Sequence, residues 1–210
     1  MKYLFILTVF LFSASCLGQT GLSADRLDEL ADQYARASFQ NFYELLSIPN
    51  DANNRKDIMK NVEWCESAFQ SRNFTTKRLP TATVPLLLAE RKVPNPQKTV
   101  LIYLQIDGQP VDFSRWDQES PWIPALKEKN DEGEWEAIDW DQIHGGYHPD
   151  WRIFARSASD AKGPVAMFLA ALDAAKDLDI QPSYNIKVIM DFEEEMGSPR
   201  LPGAVERYSS

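Results

Sequence analysis

Apolar positions change their period several times along the chain, and each change marks an element. From Ser23 they recur at Leu27, Leu30, Ala31 and Tyr34, then at Phe42, Leu45 and Leu46. This is the spacing of one helix face, with Ser23 as N-cap and Pro49 as the stop. A second helix is predicted from Arg55 to about Gln70, with Ile58, Met59, Val62, Cys65 and Phe69 on one side. Between Thr75 and Lys92 the pattern shortens to extended runs, TTKRL and VPLLLAER, divided by Pro80 and Pro85. The run KTVLIYLQI is nearly continuous in apolar residues, as in a strand covered on both faces of a mostly parallel sheet. Residues 111–150, rich in Trp, Asp, Gly and Pro, read as an irregular excursion.

A short strand, WRIFARS, follows. It leads into a helix from about Ala161 to Asp179 that is apolar on most faces and therefore predicted to be buried. The run 184-YNIKVIMDF-192 is a further strand, and PGAVERYSS opens another helix. Strands and helices joined by crossover-length connections predict an α/β fold, a three-layer sandwich with a mostly parallel mixed sheet.

The first 18 residues have a different character. Lys2 precedes an apolar run from Tyr3 to Phe12, and small residues follow, the layout of a signal peptide. The expected division is a signal peptide over 1–18 and a folded domain over 19–210, exported to the periplasm or secreted. Cleavage after Gly18 is one exit. Lipidation of Cys16, giving a lipoprotein, is the other, and apart from that anchor no membrane contact is expected. With Cys16 removed or lipidated, Cys65 has no intramolecular partner, so the fold is not stapled by disulfides; in its apolar helical setting Cys65 reads as a buried, inert thiol. A formal charge of −9 without a basic stripe argues against a nucleic-acid partner.

In open α/β sheets ligands bind beyond the carboxyl ends of the strands, and three acidic features fall at such ends. Asp107 follows TVLIYLQI, Asp160 follows WRIFARS, and Glu193, Glu194 and Glu195 follow NIKVIMDF. Carboxylates gathered at neighbouring strand ends repel unless a cation neutralises them. Each also has a plain alternative: Asp160 as a helix N-cap, the glutamates as a charged first turn, Asp107 as a turn residue bonded to the Gly108 amide. His144 and His148 have ligand-like spacing, but Gly145, Gly146 and Pro149 place them in a loop.

D-G-Q-P after one strand, S-D-x-K-G-P, then E-E-x-G-S after another strand, in this order, resembles the M20 metallopeptidases, in particular their dipeptidase and carnosinase-like branch. The likeness runs over roughly residues 24–210 and takes in 45-LLSIPN-50. It implies a zinc-peptidase-like catalytic domain with two Zn2+ ions, bridged by Asp160. It further implies that Glu195 is a ligand to one ion, that Glu194 is the general base, and that Asp107 is a catalytic aspartate orienting a ligand from behind. Lys162 and Gly163 belong to the motif as shapers of the turn. The implied reaction is hydrolysis of amide bonds in dipeptides or short peptides by a metal-bridging water, whose proton Glu194 accepts and returns to the leaving amine.

Two departures qualify the pattern. Gln105 stands where the motif has a zinc-binding His, and an amide oxygen is a poorer zinc donor than imidazole. The position is then weak for zinc, suited to another, more oxygen-loving divalent metal, or without metal. The resemblance also implies a further Asp ligand, a distant His ligand and a smaller lid or dimerisation domain beyond Ser210. The expectation is therefore the N-terminal part of a catalytic domain, incomplete at the C-terminus and inactive by itself, with a homodimer formed through the domain missing from this chain. Two other readings remain: a non-catalytic M20-like protein that binds a peptide or partner, and an N-acyl amino acid deacylase on the same scaffold.

Overall fold

The computed structural model describes residues 22–208. The expected signal peptide of residues 1–18 and the candidate lipidation site Cys16 lie outside them. Two helices, α1 (Ala24–Leu46) and α2 (Arg55–Gln70), open the chain, followed by β1 (Thr75–Leu79), β2 (Leu86–Arg91) and β3 (Thr99–Gln105). Then come β4 (Ala125–Lys129), β5 (Trp135–Ile138), a one-turn helix α3 (Gln142–Gly145) and β6 (Arg152–Phe154). The chain continues through α4 (Lys162–Asp177), β7 (Asn185–Asp191) and α5 (Leu201–Tyr208). Ser23 caps α1 through its side chain, which accepts from the Arg26 amide, and Asn54 does the same for α2 at Asp57.

The main sheet has the order β1-β2-β7-β3. It is mixed, and parallel pairing is confined to β3 and β7, in the register Thr99↔Asn185 to Gln105↔Asp191. β1, β2 and β7 pair antiparallel. One face packs against α2 and α4 in a core of Ile58, Val62, Phe69, Leu87, Val188 and Met190, among others. The opposite face meets α5 through Ala204, Leu79, Leu86 and Ile189. Helices thus cover both faces, giving three layers. β3 is an edge strand, and on it Leu101 and Tyr103 are 62% and 43% exposed.

Five expectations are corrected, the first being that β3, expected to be covered on both faces, lies at the sheet edge with Leu101 and Tyr103 exposed. β6 lies not in the main sheet but in a second, three-stranded one, ordered β5-β4-β6. The stretch 111–150 is therefore not irregular throughout: its strands are short, and lysines cover its rings, Lys127 over Phe154 and Lys129 over Trp135. His144 lies within the one-turn helix α3, while His148 is in a loop. Lastly, α4 buries only one face. Val165, Leu169 and Leu172 point into the core, whereas Met167 is 73% exposed. Its alanines give a slim helix whose outer side opens, with Leu27, Ala31 and Phe39 of α1, onto an apolar groove of about 930 Å³. Among the described residues no helix is long and apolar enough to cross a membrane.

Candidate active site

The parallel pairing of β3 with β7 sets two strand ends side by side, Gln105 opposite Asp191. Just beyond them lie Asp107 and the three glutamates. Asp107 is fully buried and does not bond the Gly108 amide, as a turn residue would. Its Oδ1 accepts from the Glu194 amide at 3.1 Å and its Oδ2 from the Glu195 amide at 3.0 Å, both 87 or more residues away in sequence. These bonds favour the carboxylate, but burial outweighs them and pushes Asp107 up to about 6. The Gly108 amide instead donates to the Asn50 carbonyl at 2.8 Å.

Glu194–Met196 form a single 3-10 turn, so the plain reading of these acids as a helix start holds in form. Their side chains, however, have separate fates. Glu193 is buried and accepts from Thr83 Oγ1 at 2.7 Å. Glu195 accepts from Gln109 Nε2 at 3.0 Å. The half-buried Glu194 carboxylate makes no hydrogen bond or ion pair among the described residues. Behind them Asp191, also buried, accepts from the Glu193 amide at 3.0 Å and from the Tyr103 hydroxyl at 3.3 Å. Burial pushes the Tyr103 phenol up to about 12.

Asp160 meets the end of β3 by another route. Because β6 is in the small sheet, three neighbouring strand ends do not converge; Asp160 sits on the loop entering α4. It is not the N-cap, a position Ala161 takes without a side-chain bond. The Asp160–Ala161 peptide is cis. Asp160 is exposed, and its Oδ1 accepts from Gln105 Nε2 at 2.7 Å. The Gln105 Oε1 is buried without a hydrogen-bond partner among the described residues. The loop turns tightly: a side chain at Gly163 would meet the Ala158 carbonyl at 2.5 Å. Lys162 is fully buried, and its Nζ donates to the Leu45 and Ile48 carbonyls at 2.8 and 2.5 Å. It ties the start of α4 to the end of α1, and burial draws its pKa down to about 7. Cys65 is a free thiol in the same core, pushed up to about 12 by burial, which makes it inert.

The five residues expected at the site therefore fall in two bonded groups, Gln105 with Asp160 and Asp107 with the Glu194 and Glu195 amides, joined by the short link from Gln105 to Asp107. Whether they suit a zinc pair is a matter of donor chemistry. Gln105 supplies an amide where imidazole is wanted, and the Asp160 and Glu195 carboxylates are each held by a glutamine N–H. Among the described residues, no three His, Cys, Asp or Glu side chains form a group that could hold a metal ion. This set alone does not fit a two-zinc centre.

Sequence reasoning missed three contributors. Asn50 is fully buried between the two acidic loops. Gln109 holds Glu195. Arg156 donates from Nη2 to the Gln109 carbonyl at 2.7 Å and from its amide to the Pro121 carbonyl at 2.7 Å, strapping the Trp-rich segment to the site. The available signal was the Pro-Asn pair that ends LLSIPN, which reads as an ordinary turn.

Residues 125–208 match the model of peptidase family M20/M25/M40. A Cys-Gly metallodipeptidase of Schizosaccharomyces pombe is 24% identical over 193 residues, covering 86% of this chain and 36% of its own length. A human Beta-Ala-His dipeptidase is 29% identical over 123 residues, covering 59% of this chain and 20% of its own. Among solved structures, the dipeptidase Dug1p of Saccharomyces cerevisiae superposes with a TM-score of 0.66 at 19% identity, over 85% of this chain and 36% of that one. Residues 125–208 thus match the M20 family model, and the motifs in their order carry the same likeness toward the N-terminus. The chain spans about a third of the length of the first relatives it matches.

Proposed function

We propose that the protein hydrolyses amide bonds of dipeptides or short peptides, as an M20-type metallopeptidase to which this chain contributes the crevice wall bearing Asp107, Asp160, Glu194 and Glu195. The observation that carries this is the division of labour among the three consecutive glutamates. Glu193 and Glu195 are engaged by Thr83 and Gln109, while the Glu194 carboxylate has no hydrogen bond or ion pair among the described residues and its backbone is fixed by Asp107. A general base needs an available carboxylate on a rigid support. Glu194 accepts the proton of the attacking water and returns it to the leaving amine. Asp107, held between two backbone N–H groups, keeps the turn carrying Glu194 at a fixed distance from the end of β3. A zinc pair requires donors that these residues do not supply together. Gln105 is the weakest of them.

In the full-length protein, Glu194→Gln should reduce dipeptide turnover by about 10³-fold while leaving the fold and substrate affinity in place; turnover within tenfold of the parent would remove Glu194 from this role. The bond from Gln105 to Asp160 favours a second reading, a non-catalytic peptide-binding protein, because an amide N–H can stand where a cation would otherwise neutralise the carboxylate. A parent protein that binds peptides but turns none over would decide for that reading. Export is part of the proposal, carried by the apolar run after Lys2. Mass spectrometry of the mature protein should find Gln19 or a lipidated Cys16 at its N-terminus, and an intact Met1 would refute export by this route.

A further inference from the structure

We propose that Asn50 is a positioning residue that locks the Asp107 and Asp160 loops in one register; the inference deepens the peptidase reading and rests on it for its kinetic arm. Asn50 follows Pro49 in the link between α1 and α2 and is fully buried. Its Nδ2 donates one proton to the Ile106 carbonyl at 2.8 Å and the other to Ser157 Oγ at 2.9 Å. Its Oδ1 accepts from the Trp122 indole N–H at 3.2 Å. The carbonyl can only accept and the indole can only donate, so the orientation of the amide is fixed by its surroundings.

The main chain completes the grip. The Asn50 carbonyl accepts from the Gly108 amide at 2.8 Å, and the Gly108 carbonyl accepts from the Ala52 amide at 2.9 Å. Asp107 is thereby held at the residues before and after it, Ile106 and Gly108, by one asparagine. The same side chain reaches Ser157, three positions before Asp160, whose carbonyl accepts from the Lys162 amide at 2.9 Å. Ser157 has a φ of 59°, a left-handed conformation that a non-glycine residue holds only when its surroundings impose it. The approach is close because residue 108 is glycine: a side chain there would meet Ser157 Oγ at 2.6 Å. Aspartate would fit the volume at position 50 but would turn an acceptor toward the Ile106 carbonyl, which has no proton to give. No other side chain of this size offers two donors and an acceptor in one plane.

The test uses the full-length protein and three variants. Asn50→Ala should lower kcat for a dipeptide about 100-fold with KM within about threefold, the pattern of misplaced reacting groups rather than lost substrate contacts. Ser157→Ala, which removes one bond, should cost about tenfold, and Trp122→Phe about threefold. Turnover is counted per folded molecule, so a purely structural role would lower yield or Tm and leave these values unchanged. A second readout needs no activity. Amide hydrogen exchange at Glu194 and Glu195, which Asn50 does not touch, should rise at least tenfold in Asn50→Ala or Ser157→Ala, because Asp107 would no longer be held. Exchange that rises only at Ala52 and Gly108, with kcat within threefold of the parent, would overturn the proposal. Should Asn50→Ala fail to fold, Ser157→Ala and Trp122→Phe decide by the same measures. A parent without turnover sinks the peptidase reading, and the exchange data then judge Asn50 alone.

Discussion

Asp107 and Asp160 lie on two loops joined through Asn50 and are built in opposite ways. Asp107 is fully buried, both of its oxygens are bound to backbone amides, and its neighbours in sequence are clamped by Asn50. Asp160 is exposed on a loop and meets one side-chain N–H, that of Gln105. The first aspartate is part of the frame. The second has oxygen lone pairs to spare and faces solvent, the condition of a group that meets a ligand. A burial difference between two residues of one type therefore separates support from contact more clearly than the motif does, since both are equally acidic and both follow strands.

The comparison breaks most readily by stability. Asp107→Ala would leave the Glu194 and Glu195 amides without partners in a dry setting, at a cost of about 3 kcal/mol. Asp160→Ala should cost less than about 0.5 kcal/mol, as exposed positions usually do. Urea midpoints of the two variants measure this, and equal losses would erase the distinction.

The next largest effect is in pH. Asp107 has a folded-state pKa of about 6, above the ordinary 3.8. The folded state thus holds this proton more tightly than the unfolded chain. The stability it contributes is full below about pH 4 and is lost as pH rises through about 6, up to about 3 kcal/mol. In chelator-treated protein, subtracting the stability curve of Asp107→Asn from that of the parent should reveal this decline. A flat difference would show that the backbone amides, not burial, set the charge state.

The smallest effect sharpens the Asp160 side. Gln105→His replaces a hydrogen-bonding amide with an imidazole and should raise zinc affinity of the full-length protein by about 10- to 100-fold, read by competition with a chromogenic chelator. Unchanged affinity would mean that Gln105 does not border the metal position at all.

Much of this frame was legible because it is local. The bounds of α2 and β1 follow from capping, periodicity and proline, all within a few residues of one another. Of the small sheet only β6 was legible, within WRIFARS, though not its place in a separate sheet. ALKEK and WEAI are too short and too charged to show a period, and they hold together by cross-strand pairing and by lysine stems laid over Phe154 and Trp135. The membership of the site was visible as three acidic motifs, but its wiring was not. Asp107 could be read as a turn residue as well as a site residue because its partners lie far along the chain. Asn50 drew no reading beyond its place in LLSIPN. The open flank of α4 was missed because a run of alanines signals helix strongly and depth of burial weakly.

The reach of the Lys162 amine across to the end of α1 has a consequence for how the crevice comes into being. That bond spans 117 residues of chain, the Asn50–Ser157 bond spans 107, and the Asp107–Glu194 bond spans 87. Contacts of such separation close large loops, and little is gained until the elements between them have docked. The crevice therefore belongs to the last part of the folding reaction, after α2 and the β1–β2 hairpin. Weakening it should hasten unfolding while leaving the folding rate nearly unchanged. On this ordering architecture precedes the site in time: the scaffold would form first, and the placement of Asp107, Asp160 and Glu194 would come in the closing step.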